Sequence, residues 1–162
     1  MKCMRHQQLN KNIIFSYLDG IADPEIPVIS IVDLGIVRDI EWKEDFMEVH
    51  ITPTYTGCPA MDTIASNIRA MLQTLGFTDV RIQYVLSPAW TTDWITEKGK
   101  RKLEEYGIAP PDKRFRIPED GVACPLCRSE NTRLLSAFGA TACKALYQCG
   151  DCSEPFEYFK CH

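Results

Sequence analysis

Two cysteine pairs constrain this chain more than any other feature. Cys124-Pro125-Leu126-Cys127 and Cys149-Gly150-Asp151-Cys152 each set two thiols at C-x-x-C spacing, with residues of strand type between the pairs. Two such knuckles facing one another present four thiolates to a tetrahedral ion, and a closed four-cysteine site of this kind is structural rather than catalytic. Between the pairs run Arg133-Leu134-Leu135-Ser136-Ala137-Phe138, a turn at Gly139-Ala140 and Lys144-Ala145-Leu146-Tyr147; Phe156, Tyr158 and Phe159 follow. These apolar residues are too few to hold the segment together unaided, so a metal supplies the missing folding free energy. The expectation for residues 120–162 is a zinc ribbon of short strands with Cys124, Cys127, Cys149 and Cys152 as ligands, iron being the alternative ion. Cys143, Cys161 and His162 are further candidate ligands, set against plainer readings as a buried thiol and a frayed tail.

Of the eight cysteines, six lie beyond residue 120, while Cys3 and Cys58 stand alone. That distribution is not a disulfide framework. The opening residues run into Leu9-Asn10-Lys11-Asn12, which interrupts the apolar core an export signal needs. No apolar run approaches the ~20 residues of a membrane helix. A cytoplasmic location is expected, with no membrane partner. A net charge of −4 provides no global basic field, so nucleic acid is not an expected partner either.

Upstream of the ribbon the pattern is mixed. Leu9, Ile13, Ile14, Tyr17 and Leu18 recur at helical spacing and end at Asp19-Gly20. Asp23-Pro24-Glu25-Ile26-Pro27 holds two prolines that exclude further helix and suggest a rigid extended loop. Ile36 to Trp42 and Phe46 to Thr52 read as a hairpin around Lys43-Glu44-Asp45, and Pro59 to Leu75 as a helix stopped by Gly76. A third strand over Val80 to Leu86 and a charged helix from an N-cap at Thr91-Thr92-Asp93 to Gly107 complete the order α-β-β-α-β-α. The fold class is therefore α+β: a small sandwich domain over residues 1–108, a linker over 109–119 and the zinc ribbon.

The chemistry of the first domain is expected in Thr54-Tyr55-Thr56-Gly57-Cys58-Pro59. Pro59 suits the first helical position, which puts Cys58 at or near the N-cap. Free backbone N–H groups and the helix dipole there favour a thiolate and lower its pKa. None of the three histidines, His6, His50 and His162, forms a recognisable triad with it, so a metal-binding thiolate is preferred to a hydrolytic nucleophile. Thr54 and Thr56 could hydrogen-bond a thiolate or ligand, or satisfy the loop backbone. Asp23, Asp33 and Asp62 could orient or ligate, or serve as turn and cap residues.

Asp23-Pro24-Glu25-Ile26-Pro27, Val32-Asp33-Leu34-Gly35-Ile36-Val37 and Thr54-Tyr55-Thr56-Gly57-Cys58-Pro59 resemble the domain of iron–sulfur assembly factors of the SufT and MIP-eighteen type, over about residues 8–108. In that family the cysteine matching Cys58 binds or passes on iron–sulfur species. With the ribbon, including Phe138 to Ala145 and Glu154 to His162, the resemblance extends over nearly the whole chain to the PaaD-like family of phenylacetyl-CoA epoxidase systems. Such a system contains a di-iron oxygenase and a reductase with flavin and a [2Fe–2S] cluster. The resemblance implies an accessory protein of phenylacetate degradation that helps mature these centres and is not itself an enzyme. The alternative is a structural subunit of the complex. The expected partners are the oxygenase or reductase and the iron–sulfur assembly machinery. A labile iron–sulfur cluster is the implied second cofactor beside zinc. One thiolate cannot complete a cluster, so a homodimer, a client, or Cys143 and Cys161 must add ligands. The residues agree with a non-catalytic role: there is no di-iron carboxylate/histidine helix pair, no dinucleotide-binding glycine motif and no ferredoxin cysteine spacing.

Overall fold

The computed structural model describes residues 10–111, 118 and 121–160. The chain forms two compact units, Met1–Trp90 and Thr91–His162.

In the first unit, α1 (Lys11–Leu18) is capped by the Asn10 side chain, which accepts the Asn12 N–H at 3.0 Å. Its Ile14 and Leu18, four positions apart, lie on one buried face. β1 (Val37–Trp42) and β2 (Met47–Ile51) form the expected antiparallel hairpin, closed by the Lys43 N–H on the Phe46 carbonyl at 2.9 Å. α2 (Met61–Thr74) then carries the chain to β3 (Val80–Tyr84), which pairs parallel to β2, giving the strand order β1-β2-β3. Met47, Val49 and Ile51 alternate into the interior, and α2 buries Ile64, Ala65, Ile68 and Leu72 at helical spacing. The Asp23-Pro24-Glu25-Ile26-Pro27 segment is not extended as expected. Its ends close on each other through the Asp23 N–H on the Ile29 carbonyl at 2.9 Å and a bridge between Ala22 and Ser30.

In the second unit, a 3₁₀ turn (Thr92–Trp94) precedes α3 (Glu97–Glu105). The N-cap is Thr96, whose hydroxyl accepts the Gly99 N–H at 2.9 Å, and not the expected Thr91-Thr92-Asp93. β4 (Ile108–Ala109), β5 (Thr132–Ser136), β6 (Lys144–Cys149) and β7 (Pro155–Phe159) form a sheet in the order β4-β7-β6-β5. β5-β6-β7 is the antiparallel meander of the ribbon, and β4 adds parallel to β7. Behind the knuckles Tyr147 stacks on Phe156 and meets Tyr158 edge-on, both with centroids 5.8 Å away.

The α+β class and the order α-β-β-α-β-α hold. The last helix of that order groups with the ribbon, and the expected 108/109 boundary falls inside β4. The cause is the pairing of Ile108 with Glu157 and of Ala109 with Tyr158, which ties the chain after α3 to the far end of the ribbon.

Candidate functional site

Four sulfurs meet at the ribbon tip. Cys124 Sγ lies 3.8 Å from Cys152 Sγ, Cys127 Sγ lies 3.5 Å from Cys149 Sγ, and all four fall within 4.8 Å of one another. A tetrahedral ion with metal–sulfur bonds of about 2.3 Å requires edges of about 3.8 Å. The two measured sulfur pairs, at 3.8 and 3.5 Å, lie close to that edge. The residue after each knuckle's second cysteine, Arg128 (φ 67°) and Ser153 (φ 65°), takes the left-handed conformation, which reverses the chain after the knuckle. The Cys152 N–H, then that of Asp151, donates to Cys149 and holds its thiol at about 7. On Cys152 the Glu154 N–H favours the thiolate, but burial and the neighbouring sulfurs push the thiol up to about 12. Four thiols so close cannot all ionise without a cation among them. Asp151 braces the knuckles by accepting from Ser129 Oγ at 2.5 Å and Asn131 Nδ2 at 2.8 Å.

Cys143 is not part of this quartet. It is buried in the sheet region, its sulfur 3.0 Å from Thr141 Oγ1. Cys161 and His162 lie outside the described residues. The other group of ligand-type atoms within 4.8 Å, among the described residues, is Glu41, Glu48 and His50 on the hairpin. Lys43 pairs with Glu41, and His50 Nε2 lies 2.8 Å from Glu48 Oε1, so these side chains already partner one another.

Cys58 is half-buried in the loop between β2 and α2. It lies near the N-cap rather than on it. α2 starts at Met61, the cap position is Ala60, and Pro59 precedes the cap. The helix starts late because Cys58–Met61 forms its own turn, with the Met61 N–H on the Cys58 carbonyl at 3.4 Å. Gly57, just before the cysteine, has φ 79°, a conformation that favours glycine. The expected fall in thiol pKa is also reversed. Burial, foremost, and the carboxylates of Glu25 and Asp23 push Cys58 up, against the Ala60 N–H and the Tyr55 side chain, which favour the thiolate.

Asp23 is buried and accepts the N–H groups of Glu25 and Ile26 at 2.9 and 2.8 Å, so it shapes the turn that presents Glu25. Asp33 is buried, its N–H donated to Ser30 Oγ, which in turn donates to Asp19. Thr54 is half-buried and Thr56 exposed on the Cys58 loop. Sequence reasoning missed Tyr55, Glu25 and Thr52 here. The Tyr55 hydroxyl donates to Glu25 Oε1 at 3.3 Å, and its side chain also hydrogen-bonds Cys58. Thr52, 1% exposed at the end of β2, keeps its hydroxyl without a hydrogen-bond partner. The sequence signal available was the X-Pro-Glu turn beside the Thr/Tyr-rich loop, but nothing in one dimension joins them.

Residues 11–83 match the family model described as iron–sulfur cluster assembly protein, and residues 109–160 match the PaaD zinc beta ribbon domain. The chain is 48% identical to a putative 1,2-phenylacetyl-CoA epoxidase subunit of Escherichia coli, over 91% of each chain. It is 36% identical to the Bacillus subtilis Fe-S protein maturation auxiliary factor YitW, over 57% of this chain and 92% of that one. A solved domain of unknown function, DUF59, from Bacillus anthracis superposes with a TM-score of 0.53 at 27% identity, covering 57% of this chain and 90% of its own. With its iron–sulfur-assembly-type segment joined to a PaaD-type ribbon around four clustered cysteines, the chain belongs to the PaaD-like family.

Proposed function

We propose that this protein is an accessory maturation factor of a phenylacetyl-CoA epoxidase system, handling iron for a metal centre of the oxygenase or reductase through Cys58. The single observation that carries the reading is the placement of Cys58. It is half-exposed on a glycine-turned loop, beside the carboxylate of Glu25, in the segment that matches the iron–sulfur assembly family. A thiol held neutral until a cation displaces its proton suits transient loading better than permanent storage. The four ribbon cysteines hold a zinc ion that stabilises the second unit, as the tetrahedral fit of their sulfurs supports. Asp23 presents Glu25; Thr54 and Thr56 line the loop, and Asp33 fixes the neighbouring turn. The protein acts in the cytoplasm with the other epoxidase components and the iron–sulfur assembly machinery, and does not itself epoxidise. No helix among the described residues is long and apolar enough to cross a membrane.

Anaerobic purification with iron, zinc, sulfide and visible-absorption analysis of the wild type and Cys58→Ser tests this. Zinc in both, with iron lost only from the variant, is the expected result. Zinc alone in both favours a structural subunit that never handles iron, a reading suggested by the name of the Escherichia coli relative, which calls it a component of the epoxidase.

A further inference from the structure

We infer that Glu41, Glu48 and His50 form a second metal site, on the outer face of the β1–β2 hairpin, which takes one divalent first-row transition ion through two carboxylates and an imidazole. The site uses none of the ribbon sulfurs and does not depend on Cys58.

Strand alternation places the donors. Met47, Val49 and Ile51 of β2 are buried, so Glu48 and His50 lie on the opposite face. The antiparallel register sets Glu41 directly opposite Glu48, and Asp39 directly opposite His50. One donor atom from each of Glu41, Glu48 and His50 falls within 4.8 Å of the other two, and His50 Nε2 lies 2.8 Å from Glu48 Oε1. Around an ion with bonds of about 2.1 Å, octahedral donors are about 3 Å apart when adjacent and about 4.2 Å when opposite. The measured pair is near the adjacent distance, and a small closing movement brings the third donor in. The His50 and Glu48 side chains are 19% and 22% exposed, which leaves an open side for water to complete the shell.

Charge is the independent observation. Like charges directly opposite across an antiparallel pair destabilise it, and Glu41 and Glu48 are such a pair. The arginine opposite Glu48 on its other flank is committed elsewhere. Arg81 is its partner in the β2–β3 register, but the guanidinium donates to Asp79 at 3.2 Å and lies 3.7 Å over the Phe46 ring. Lys43 pairs with Glu41 through Oε2, and Lys11 with Asp39 at 2.7 Å. Three carboxylates, of Asp39, Glu41 and Glu48, thus meet two ammonium groups and the His50 ring. Residual negative charge beside an imidazole favours a cation, and an imidazole–carboxylate set selects transition ions over Ca²⁺ and Mg²⁺. Lys43 engages one Glu41 oxygen, and a carboxylate has two. Ligation takes the His50 Nε2 lone pair, so the ring proton sits on Nδ1 in the bound state and no electron moves. The ion would tie β1 to β2 just before the chain enters the Cys58 loop.

The test is an anaerobic Co²⁺ titration of the full chain carrying Cys58→Ser, with zinc retained in the ribbon and its content measured alongside. One Co²⁺ should bind with ligand-field absorption and without a sulfur-to-cobalt charge-transfer band. Paramagnetic line-broadening should centre on the β1 and β2 amides. In the same background, His50→Gln and Glu48→Gln should each weaken uptake by more than the about 10- to 100-fold that loss of a supporting residue costs. Glu48→Asp, which keeps the charge, should recover part of that loss. Lys43→Ala removes the competing ammonium but no donor, and should bind at least as tightly as its parent. Absence of uptake by Cys58→Ser overturns the inference, as does uptake unchanged by His50→Gln and Glu48→Gln. A charge-transfer band accompanied by loss of zinc assigns the cobalt to the ribbon and overturns it as well.

Discussion

The Tyr55 hydroxyl lies 3.3 Å from Glu25 Oε1, joining residues 30 positions apart in the chain. Through that bond the loop after β2 is fastened to the turn after α1, and Cys58 acquires a carboxylate neighbour that its own loop does not supply. The predicted properties of the site follow from this neighbourhood rather than from the cysteine alone.

Cys58 should be a slow nucleophile at neutral pH. Burial and the Glu25 and Asp23 carboxylates raise its pKa above the ordinary 9.0, so alkylation at Cys58, followed by peptide mass spectrometry, should climb only at pH values above that of an ordinary thiol. Glu25→Gln should move the profile down. The folded state favours the neutral thiol. Its contribution to stability is therefore complete below the unfolded pKa and is lost as pH rises through the folded one. A profile centred below the ordinary value would contradict the geometry.

A second prediction concerns Trp90, whose indole N–H donates to the Leu34 carbonyl at 2.8 Å in the interior of the first unit. Trp90→Phe keeps most of the apolar contact but removes the donor. The change should destabilise the unit by about 1–3 kcal/mol, seen as a lower urea midpoint with an unchanged slope.

Removing the ribbon ion should have a separate effect. With a chelator present, the near-ultraviolet circular dichroism of the packed Tyr147, Phe156 and Tyr158 should disappear, because four crowded thiols cannot stand in for the ion. Retention of that signal without metal would show that the aromatic core is sufficient by itself.

Ser153 and Arg128 give a finer test. Each takes a left-handed conformation without being glycine, at a cost of about 1–2 kcal/mol for an L-residue. Ser153→Gly should relieve that cost, offset by about 0.5–1 kcal/mol of extra chain entropy in the unfolded state. Ser153→Val should lose zinc to a competing chelator more readily than the wild type, and Ser153→Gly should not.

The parts of this protein that could be read from its sequence are those encoded locally. The two C-x-x-C knuckles, the hairpin around Lys43-Glu44-Asp45 and the amphipathic pattern of α2 each depend on neighbours within a few positions. The parts that could not be read depend on distant partners. β4 exists because Ile108 and Ala109 meet Glu157 and Tyr158, and that pairing also draws the chain after α3 towards the ribbon. The N-cap expectation for Cys58 held in its looser form: the cysteine lies near the cap and not on it, because a turn from Cys58 to Met61 precedes the helix. The direction of the thiol's pKa shift then followed burial and the distant carboxylates rather than the helix end.

The most direct test of the central claim is the iron content of the epoxidase oxygenase and reductase, purified anaerobically from cells in which Cys58→Ser replaces the wild-type chain. Iron handling through Cys58 predicts normal amounts of both proteins with at least one of them short of iron, while the variant keeps its ribbon zinc. Full iron loading of both, with normal epoxidation, would contradict it and leave the chain a structural subunit.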